Sequence, residues 1–282
     1  MSINDKQKVL VSGSAGFIGG YVVEELLGRG YAVVGVDNYS KYGKVEKSYD
    51  DHPDYTFYED DVRDVQLMTK LLMDCDYFIA GAALIGGISY FHAYAYDLLA
   101  ANERIMASEC DAAIEAHNQG KLKKVTYLSS SMVFESTVHW PSAEGDERKI
   151  PPPLSSYGFQ KLAVEYFAKA AWDQYQLPYT IVRPFNCVGI GEGRALGDVE
   201  VSSGNVKLAS VRELAEVIWK KIKGDAPLTF AHDQAYQYDV QKRVPDVTKA
   251  KEVLGFECTT SLDAMLDEVI PWVTQAVADG RL

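Results

Sequence analysis

The sequence predicts an α/β fold in which a parallel sheet is covered by helices on both faces. Short apolar segments typical of strands alternate with helical patterns through the first two-thirds of the 282-residue chain. A glycine-rich turn also joins the first predicted strand to the first predicted helix, as is typical of a doubly wound sheet. Continuous apolar strands of this kind are usually buried on both faces, which favours a parallel sheet.

The predicted elements follow one another in a regular order. Strands are predicted at 8–12, 31–37, 55–58, 76–80, 124–128 and 179–183. Helices are predicted between them at 17–30, 65–75 and 94–117, and a further helix begins near Tyr157 and runs to about Tyr175. Their apolar residues recur at helical spacing, with Ile18, Val22 and Leu26 as the clearest stripe.

The last hundred residues follow a different pattern. Residues 189–205 are rich in Gly, Asp, Glu and Ser and predict a loop. Helices are predicted near 211–223, 247–254 and 262–278, and residues 228–230 give the one clear strand signal among them. We therefore divide the chain into a first domain over 1–188 and a small, mainly helical lobe over 189–282.

Composition and charge exclude several classes of partner. The formal net charge is −12 and no block of basic residues interrupts it, so neither nucleic acid nor an anionic membrane surface is expected to bind. The N-terminus is polar, unlike a signal peptide, and no apolar run reaches transmembrane length. The four cysteines are scattered, which favours a reducing, cytoplasmic setting, and no spacing indicates a metal site.

The glycine-rich turn directly follows the first predicted strand and contains Gly13, Gly16 and Gly19. Glycines there let the backbone approach a pyrophosphate closely, and the helix N-terminus supplies N–H donors. Asp37 ends the second predicted strand, where an acid accepts hydrogen bonds from a ribose 2′-hydroxyl and repels a 2′-phosphate. The pattern predicts an NAD-binding domain over 1–188; the alternative is a helix-capping turn with a surface Asp.

Tyr157 and Lys161 lie four residues apart at the start of a predicted helix, so their side chains share one helix face. A cation near a phenol favours the phenolate, and such a tyrosine can take a proton from a substrate hydroxyl near neutral pH. The same spacing recurs at Tyr238 and Lys242 without these surroundings, and we interpret that second pair as coincidental. Together with the glycine-rich turn, the first pair predicts hydride chemistry at an alcohol carbon.

These residues belong to a longer series of motifs that runs from the first predicted strand to the sixth. The matching segments are 13–19, Asp37, 61–64, 81–83, 129–134, 157–161 and 183–186, with 210–214 and 243–250 further along the chain. In this series the chain resembles the extended short-chain dehydrogenase/reductase family, with its Rossmann-type fold. Within that family it is similar to the NAD-dependent nucleotide-sugar epimerases and dehydratases, such as UDP-glucose 4-epimerase.

The resemblance implies a role for each matching residue. Ser130, Tyr157 and Lys161 would be the catalytic residues: Ser130 would hydrogen-bond the reacting hydroxyl, and Lys161 would hold the nicotinamide ribose and activate Tyr157. Asn186 and Arg243 would bind the substrate with Ser130 and Tyr157. NAD would contact Gly13, Gly16, Phe17, Ile18, Gly19, Asp37, Asn38, Asp61, Val62, Ala82, Ala83, Asn102, Ser129, Tyr157, Lys161 and Pro184.

Some of these residues also allow a purely structural interpretation. Ser130 could end a strand and bond backbone groups, Asn102 could be an ordinary polar residue on a helix, and Arg243 could be a solvated charge. Cys187 follows Asn186 and could look like a nucleophile, but a structural thiol is the better interpretation.

The residues after Ser130 bear on the reaction. Family 4,6-dehydratases carry an Asp-Glu pair there, whereas this chain has Ser131 and Met132, and neither can act as a general acid or base. The resemblance therefore implies epimerisation at C4 of a nucleotide sugar, in particular a UDP-hexose, through a transient 4-keto sugar. Dehydration, reduction or decarboxylation of a nucleotide sugar, and an NAD-binding scaffold with weakened turnover, stay open as alternatives.

Two features depart from the family pattern. Phe134-Glu135 replaces the more usual Tyr-Gly, and the stretch between Asn186 and Ser210 is shorter than usual, which shortens the substrate lobe. The resemblance also implies a homodimer formed through the helices near 94–117 and 157–175.

Overall fold

A six-stranded parallel sheet forms the centre of the molecule. The computed structural model describes residues 6–86, 90, 93–191, 211–231, 240 and 242–280. Within these residues the strands are ordered β3-β2-β1-β4-β5-β6, and every neighbouring pair is parallel. Their bounds are β1 Lys8–Ser12, β2 Ala32–Asp37, β3 Tyr55–Glu59, β4 Tyr77–Ala80, β5 Lys124–Leu128 and β6 Tyr179–Val182. The strand order reverses between β1 and β4, and the crevice beside such a reversal is where doubly wound folds bind ligands.

Alternating side chains of the strands supply two separate cores. Successive residues of a strand point to opposite faces, so Val9 and Val11 enter one core while Leu10 enters the other. All three side chains are at most 2% exposed. The sheet is therefore apolar on both faces and has to be covered by helices on both sides.

Four helices cover the sheet and follow its strands. They are α1 Phe17–Gly28, α2 Val65–Leu72, α3 Ala95–Asn118 and α4 Ser156–Tyr175. Residues of α1 join the core of Val9 and Val11, whereas residues of α2, α3 and α4 join the core of Leu10. Along that second face α3 packs against both α2 and α4.

Side-chain caps fix where two of these helices begin. Asp64 accepts a hydrogen bond from the N–H of Leu67 (3.0 Å) and starts α2. Ser155 accepts one from the N–H of Gly158 (2.9 Å) and starts α4. A short side chain that accepts from the N3 position satisfies an N–H that the helix itself leaves unpaired.

The C-terminal residues add three helices, and one segment between them hydrogen-bonds a loop that follows the sheet. The helices are α5 Val211–Lys223, α6 Thr248–Leu254 and α7 Leu262–Ala278, and α5 packs against α7. The segment before α6 hydrogen-bonds the loop between β5 and α4: the backbone N–H of Ser142 donates to the carbonyl of Val244 (2.8 Å), and the carbonyl of Ser142 accepts from the N–H of Asp246 (2.9 Å). This pairing brings residues 243–246 back to the loop that follows β5.

The predicted fold class is confirmed, and each of the six predicted strands is present with its ends within one residue. The predicted strand at 228–230 is wrong, because those residues have no strand partner in the described part of the chain. The Phe230 ring instead contacts the Arg212 guanidinium at 5.3 Å. Residues 192–205 of the predicted loop lie outside the described residues. None of the helices that the structure describes combines the length and apolarity needed to cross a membrane.

A methyl group at Gly19 is expected to disrupt the turn between β1 and α1. A Cβ there would overlap the carbonyl oxygen of Gly13, which is backbone and cannot move aside. We expect Gly19→Ala to lower the free energy of unfolding by about 1–3 kcal/mol, as overpacking does. The exposed Gly28 has open space around its Cβ position, so Gly28→Ala should instead raise it by about 0.5–1 kcal/mol. Urea denaturation of both variants measures the difference, and equal effects would contradict this account.

Candidate active site

A cleft of about 510 Å³ opens at the edge of the sheet where the strands end. It lies beside the reversal of strand order and is bounded by the segments that follow all six strands. Every predicted site residue except Asn102 lines it: Gly13, Gly16, Phe17, Ile18, Gly19, Asp37, Asn38, Asp61, Val62, Ala82, Ala83, Ser129, Ser130, Tyr157, Lys161, Pro184, Asn186 and Arg243.

The glycine-rich turn forms one wall and leaves a helix end available. Gly13 adopts φ +70° and donates to the carbonyl of Val36 (2.9 Å), which holds the turn against β2. A Cβ on Gly13 would stand only 3.1 Å from backbone atoms of Gly81 and Ala82, so glycine is required for this close approach. The cap position of α1 is Gly16, which provides no side-chain cap, and the first residues of the helix line the cleft.

Asp37 joins the end of β2 to this turn. Its Oδ2 accepts a hydrogen bond from the N–H of Ala15 (3.1 Å), and its Oδ1 accepts one from the N–H of Tyr39 (2.8 Å). Each carboxylate oxygen has a second lone pair, so the side chain can still accept from a ligand hydroxyl. The structure thus gives Asp37 a positioning task in addition to the predicted contact with a ribose.

Asp61 and Arg63 lie at the outer end of the cleft, after β3. The Arg63 guanidinium forms a bidentate pair with Asp61, at 2.9 Å from Nε to Oδ1 and 2.6 Å from Nη2 to Oδ2. These hydrogen bonds lower the pKa of the Asp61 carboxyl. Val62 between them is buried, so the pair flanks an apolar floor.

Asn102 lies behind the cleft wall rather than in it. Its Oδ1 accepts from the N–H of Leu84 (2.8 Å) and its Nδ2 donates to the carbonyl of Leu84 (2.9 Å). The side chain is 2% exposed, so both ends of the amide are satisfied by one residue of the loop after β4. Asn102 therefore positions the loop that carries Ala82 and Ala83, and this geometry differs from the predicted direct contact with a cofactor.

Ser130, Tyr157 and Lys161 meet in the inner part of the cleft. Lys161 is 5% exposed, and its Nζ donates to the carbonyl of Leu128 at the end of β5 (2.9 Å) and lies 5.9 Å from the centre of the Tyr157 ring. The Ser130 hydroxyl oxygen accepts from the N–H of Met132 (3.2 Å), which leaves its proton available to another acceptor. Burial lowers the pKa of Lys161 to about 8, so the ammonium form still prevails at pH 7.

Glu135 holds the N-terminal end of α4 in place. Its Oε1 accepts from the N–H groups of Leu154 (2.8 Å) and Ser155 (2.9 Å), and its Oε2 accepts from the Ser155 hydroxyl. Ser155 is the residue that caps α4, two positions before Tyr157. The departure from the family pattern at Phe134-Glu135 thus supplies an anchor for the helix that carries the tyrosine.

A buried ion network supports the same helix from its other side. Arg183 forms a bidentate pair with Glu165 (2.7 and 2.6 Å) and a longer contact with Glu147 (3.2 Å). The Ser129 hydroxyl donates to Glu165 as well (2.7 Å). These contacts join β5, β6 and α4, and sequence reasoning assigned no role to either glutamate because the pairing is visible only in three dimensions.

Asn186 and Arg243 lie 57 residues apart in the sequence and meet in the cleft. Arg243 donates to the Asn186 side-chain oxygen (3.0 Å) and to the sulfur of Met132 (3.0 Å). Asn186 has φ +48°, a left-handed conformation that asparagine tolerates better than most residues. Met132 is 6% exposed, so its contact with the guanidinium is buried.

Sequence reasoning missed several residues of the cleft. The loop after Asp37 contributes Tyr39, Ser40, Lys41, Tyr42 and Gly43 to the lining, and Arg63 and Cys187 line it as well. The adjacent Asp37 was the signal that could have drawn attention to that loop. Among the described residues, no group of three His, Cys, Asp or Glu side chains is placed to hold a metal ion.

Comparison with known families and proteins shows which of them this chain resembles. The family model described as "NAD dependent epimerase/dehydratase family" matches residues 9–240. The chain is 28% identical over 199 residues to UDP-glucose 4-epimerase of Halalkalibacterium halodurans, which covers 67% of this chain and 54% of that protein. The chain spans about half the length of several curated relatives that it matches.

Two further similarities cover nearly the whole chain. UDP-N-acetyl-alpha-D-glucosaminuronate decarboxylase of Bacillus cytotoxicus is 25% identical over 329 aligned positions, which cover 97% of this chain and 100% of that protein. That alignment is longer than this chain, so the decarboxylase has residues without a counterpart here. The crystal structure of UDP-glucose 4-epimerase with UDP-glucose from Thermotoga maritima superposes with a TM-score of 0.78 at 24% identity, over 96% of this chain and 100% of that one. This last similarity establishes the fold.

Removal of the Glu135 carboxylate is expected to loosen the start of α4. Glu135→Ala takes away three hydrogen bonds and leaves their donors unpaired, so we expect a loss of about 2–3 kcal/mol in the free energy of unfolding. Ser155→Ala removes the cap and should cost about 1 kcal/mol. The double variant should lose less than the sum, because both changes remove the shared contact. Urea denaturation of the four proteins measures the coupling.

Glu144→Ala is the matched control for these Glu135 and Ser155 variants. Glu144 pairs with Lys249 on the surface, and such pairs contribute about 0–1 kcal/mol. Full additivity of the Glu135 and Ser155 changes would contradict the proposed anchor.

Proposed function

Because this chain belongs to the NAD-dependent epimerase/dehydratase family, we propose that it inverts C4 of a nucleotide sugar, in particular a UDP-hexose, through a transient 4-keto sugar. The observation that carries the proposal is the juxtaposition of Ser130, Tyr157 and Lys161 in one cleft with the glycine-rich turn. A proton acceptor for an alcohol and a site for a dinucleotide then lie side by side, as oxidation at an alcohol carbon requires.

The acid–base chemistry falls to Tyr157. The Lys161 ammonium, 5.9 Å from its ring, favours the phenolate electrostatically, and the phenolate can take the proton of the sugar 4-hydroxyl. The Ser130 hydroxyl donates a hydrogen bond to the reacting oxygen and so stabilises the charge that develops there. On the return step the proton passes from Tyr157 back to the sugar oxygen, so no net proton is consumed.

The glycine-rich turn and its neighbours fit the cofactor of this family. The uncapped N-terminus of α1 and the close backbone approach at Gly13 suit a pyrophosphate, and the spare lone pairs of Asp37 suit ribose hydroxyls. We assign the adenine end to Asp61 and Val62 and the inner channel to Ala82 and Ala83. When bound there, NAD⁺ supplies a hydride acceptor and NADH returns the hydride, which makes the reaction redox-neutral.

Residues 131 and 132 favour epimerisation over dehydration. Loss of water next to a 4-keto group needs an acid and a base, and Ser131 and Met132 provide neither. The Met132 sulfur, moreover, accepts a hydrogen bond from Arg243. A second candidate is decarboxylation of a UDP-uronic acid, which is favoured by the near-complete alignment with the B. cytotoxicus decarboxylase.

We assign the substrate to the side of the cleft formed by Asn186 and Arg243, with residues 189–282 as the substrate lobe. The guanidinium already faces the cleft beside Asn186, and its charge and planar set of donors suit the phosphates of a nucleotide diphosphate. The net charge of −12 gives no general attraction for such an anion, so a local cation of this kind is needed.

Replacement of Tyr157 tests the assigned chemistry. Purified protein with NAD⁺ should invert C4 of at least one member of a panel of UDP-glucose, UDP-galactose, UDP-N-acetylglucosamine and UDP-glucuronic acid, followed by proton NMR. Tyr157→Phe should lower kcat by about 10²–10⁴-fold, because the acid–base group is lost, while NAD binding is retained. Tyr175→Phe, on the exposed end of the same helix, is the control and should leave turnover unchanged.

Each failure of this assay has a distinct meaning. No inversion of any of the sugars would overturn the epimerase proposal. Release of CO₂ from UDP-glucuronic acid would support the decarboxylase, and accumulation of NADH would indicate a net oxidation. Cofactor binding without any turnover would support the alternative that the protein is an NAD-binding scaffold.

We also propose that the chain forms a homodimer through α3 and α4. Large aromatic side chains project from these helices: Tyr96 is 76% exposed, Tyr166 is 67% exposed and Phe159 is 47% exposed. Apolar rings concentrated on two adjacent helices are typical of an interface rather than of a solvated face.

Replacement of two of these aromatic residues by glutamate is expected to separate the dimer. The double variant Tyr96→Glu, Tyr166→Glu should elute as a monomer, because unpaired carboxylates would be buried in the interface. Val253→Glu on α6 adds a charge at a similarly exposed apolar residue (69%) and should not change the mass. Size-exclusion chromatography with light scattering measures both, and a monomeric unmodified protein would overturn the assignment.

A further inference from the structure

Glu109 on α3 is a buried carboxyl to which the proposed reaction gives no role. Its exposed fraction is 0%. Neither Oε1 nor Oε2 has a hydrogen-bond partner among the residues that the structure describes. An ionised carboxylate in such a place is strongly disfavoured, so the group is expected to stay protonated around neutral pH.

Ser12 links Glu109 to the loop that carries Ala82. Ser12 ends β1, is fully buried, and accepts hydrogen bonds from the N–H groups of Gly81 (3.0 Å) and Ala82 (3.2 Å). These two donors use both lone pairs of the hydroxyl oxygen, so its proton has to point elsewhere. The Glu109 carboxyl is close enough for the Ser12 hydroxyl to lower its pKa, although the two do not form a complete hydrogen bond.

Lys161 is the cation that acts on Glu109. It lies on α4, which packs against α3. Its Nζ has three N–H donors, one of which bonds the carbonyl of Leu128. The charges of Lys161 and Glu109 influence each other across this helix interface. Glu109 (0% exposed) and Lys161 (5% exposed) are thus two buried ionisable side chains on helices that pack against each other, and Lys161 also lies 5.9 Å from the centre of the Tyr157 ring.

Cys110 and Tyr127 also act on Glu109, and neither supplies a compensating charge. Burial raises the pKa values of Cys110 on α3 and Tyr127 on β5, which keeps both neutral. Burial also raises the pKa of Glu103 on α3. Glu165 on α4 is engaged by Arg183.

We propose that Glu109 is a positioning residue for Lys161, and that the two form one buried proton-binding pair whose charge state controls how strongly the lysine acts on Tyr157. With Glu109 protonated, the pair carries one positive charge, and that charge is available to the tyrosine. When the pair loses one proton to water, the O–H bond of Glu109 is broken and the negative carboxylate offsets the ammonium. The inference rests on the acid–base role proposed for Tyr157.

The pKa values place this change just above neutrality. Burial raises the pKa of Glu109 from 4.5 to about 8, and burial lowers the pKa of Lys161 from 10.5 to about 8. Below pH 8 both groups are protonated, and above it the pair loses a proton as a unit. The activating charge on Tyr157 should therefore weaken as the pH rises through 8.

Stability follows from the same values. Between pH 4.5 and 8 the folded state keeps a proton on Glu109 that the unfolded state releases, so the contribution of Glu109 to stability falls as the pH rises through this window. Lys161 behaves oppositely: between pH 8 and 10.5 the unfolded state holds the proton, so its contribution rises with pH. Glu109→Gln removes the first of these effects and extends the second to lower pH, because it lowers the pKa of Lys161 further.

The decisive experiment is a titration by ¹³C NMR of protein labelled at lysine Cε and glutamate Cδ. The Lys161 resonance is assigned by its loss in Lys161→Met. In the unmodified protein one glutamate carboxyl should titrate near pH 8 rather than near 4.5. In Glu109→Gln that signal should disappear, and Lys161 should titrate lower by about one pH unit, because the ionised carboxylate no longer stabilises the ammonium.

Glu115→Gln is the matched control. Glu115 lies on the same helix, is exposed and accepts a hydrogen bond from Gln119, so its replacement should leave the Lys161 titration unchanged. Urea denaturation adds a second measurement: the stability of Glu109→Gln relative to the unmodified protein should increase between pH 4.5 and 8. The carboxyl titration needs no variant and remains decisive if Glu109→Gln fails to fold.

Two results would overturn the inference. One is the absence of any glutamate carboxyl that titrates near pH 8, and the other is an unchanged Lys161 titration in folded Glu109→Gln. Neither measurement depends on turnover. A shifted lysine in a protein that converts no nucleotide sugar would therefore contradict the proposed function and leave the Glu109–Lys161 pair standing.

Discussion

Hydrogen bonds in parallel register bring the ends of β1, β2, β4 and β5 to one edge of the sheet, and the cleft depends on that convergence. Ser12, Asp37 and Leu128 are the last residues of three of these strands, and each makes a polar contact that shapes the cleft. Asp37 fixes the glycine-rich turn, Ser12 fixes the loop after β4, and the carbonyl of Leu128 fixes Lys161. Because all the strands run the same way, residues far apart in the sequence reach the cleft without long loops.

Buried and half-buried polar side chains then determine how precisely the cleft is built. Asn102, Glu135 and Glu165 do not face the substrate side, yet each hydrogen-bonds a segment that does. Asn102 clamps one backbone residue, Glu135 holds the start of a helix, and Glu165 joins that helix to Ser129 and Arg183. Such networks specify one arrangement because any alternative would leave a buried donor or acceptor unpaired.

The sequence allowed the fold and about half of the cleft lining to be predicted, the fold from local patterns and the lining from local patterns together with the family resemblance. A glycine-rich turn after an apolar strand and a Tyr and Lys on one helix face can be identified from spacing alone. Glu109 and Glu135 could not be identified in this way, since their importance depends on what a distant segment places beside them. Asn102 shows the same limit: it was predicted to contact the cofactor, but its hydrogen bonds to Leu84 depend on how α3 packs. The strand predicted at 228–230 was wrong because β propensity does not provide a partner strand.

Arg243 enters the cleft from a segment that is tied to the loop at Ser142, more than ninety residues earlier in the chain. The two sides of the cleft are therefore completed at different moments of protein synthesis. The sheet, the glycine-rich turn, Ser130, Tyr157 and Lys161 are all encoded before residue 190, so the dinucleotide side can assemble while the ribosome is still adding the remainder. The Arg243 guanidinium is added later, with the segment that pairs with Ser142. A nascent chain can therefore pass through a stage in which the dinucleotide side is formed and Arg243 is still absent from the other side.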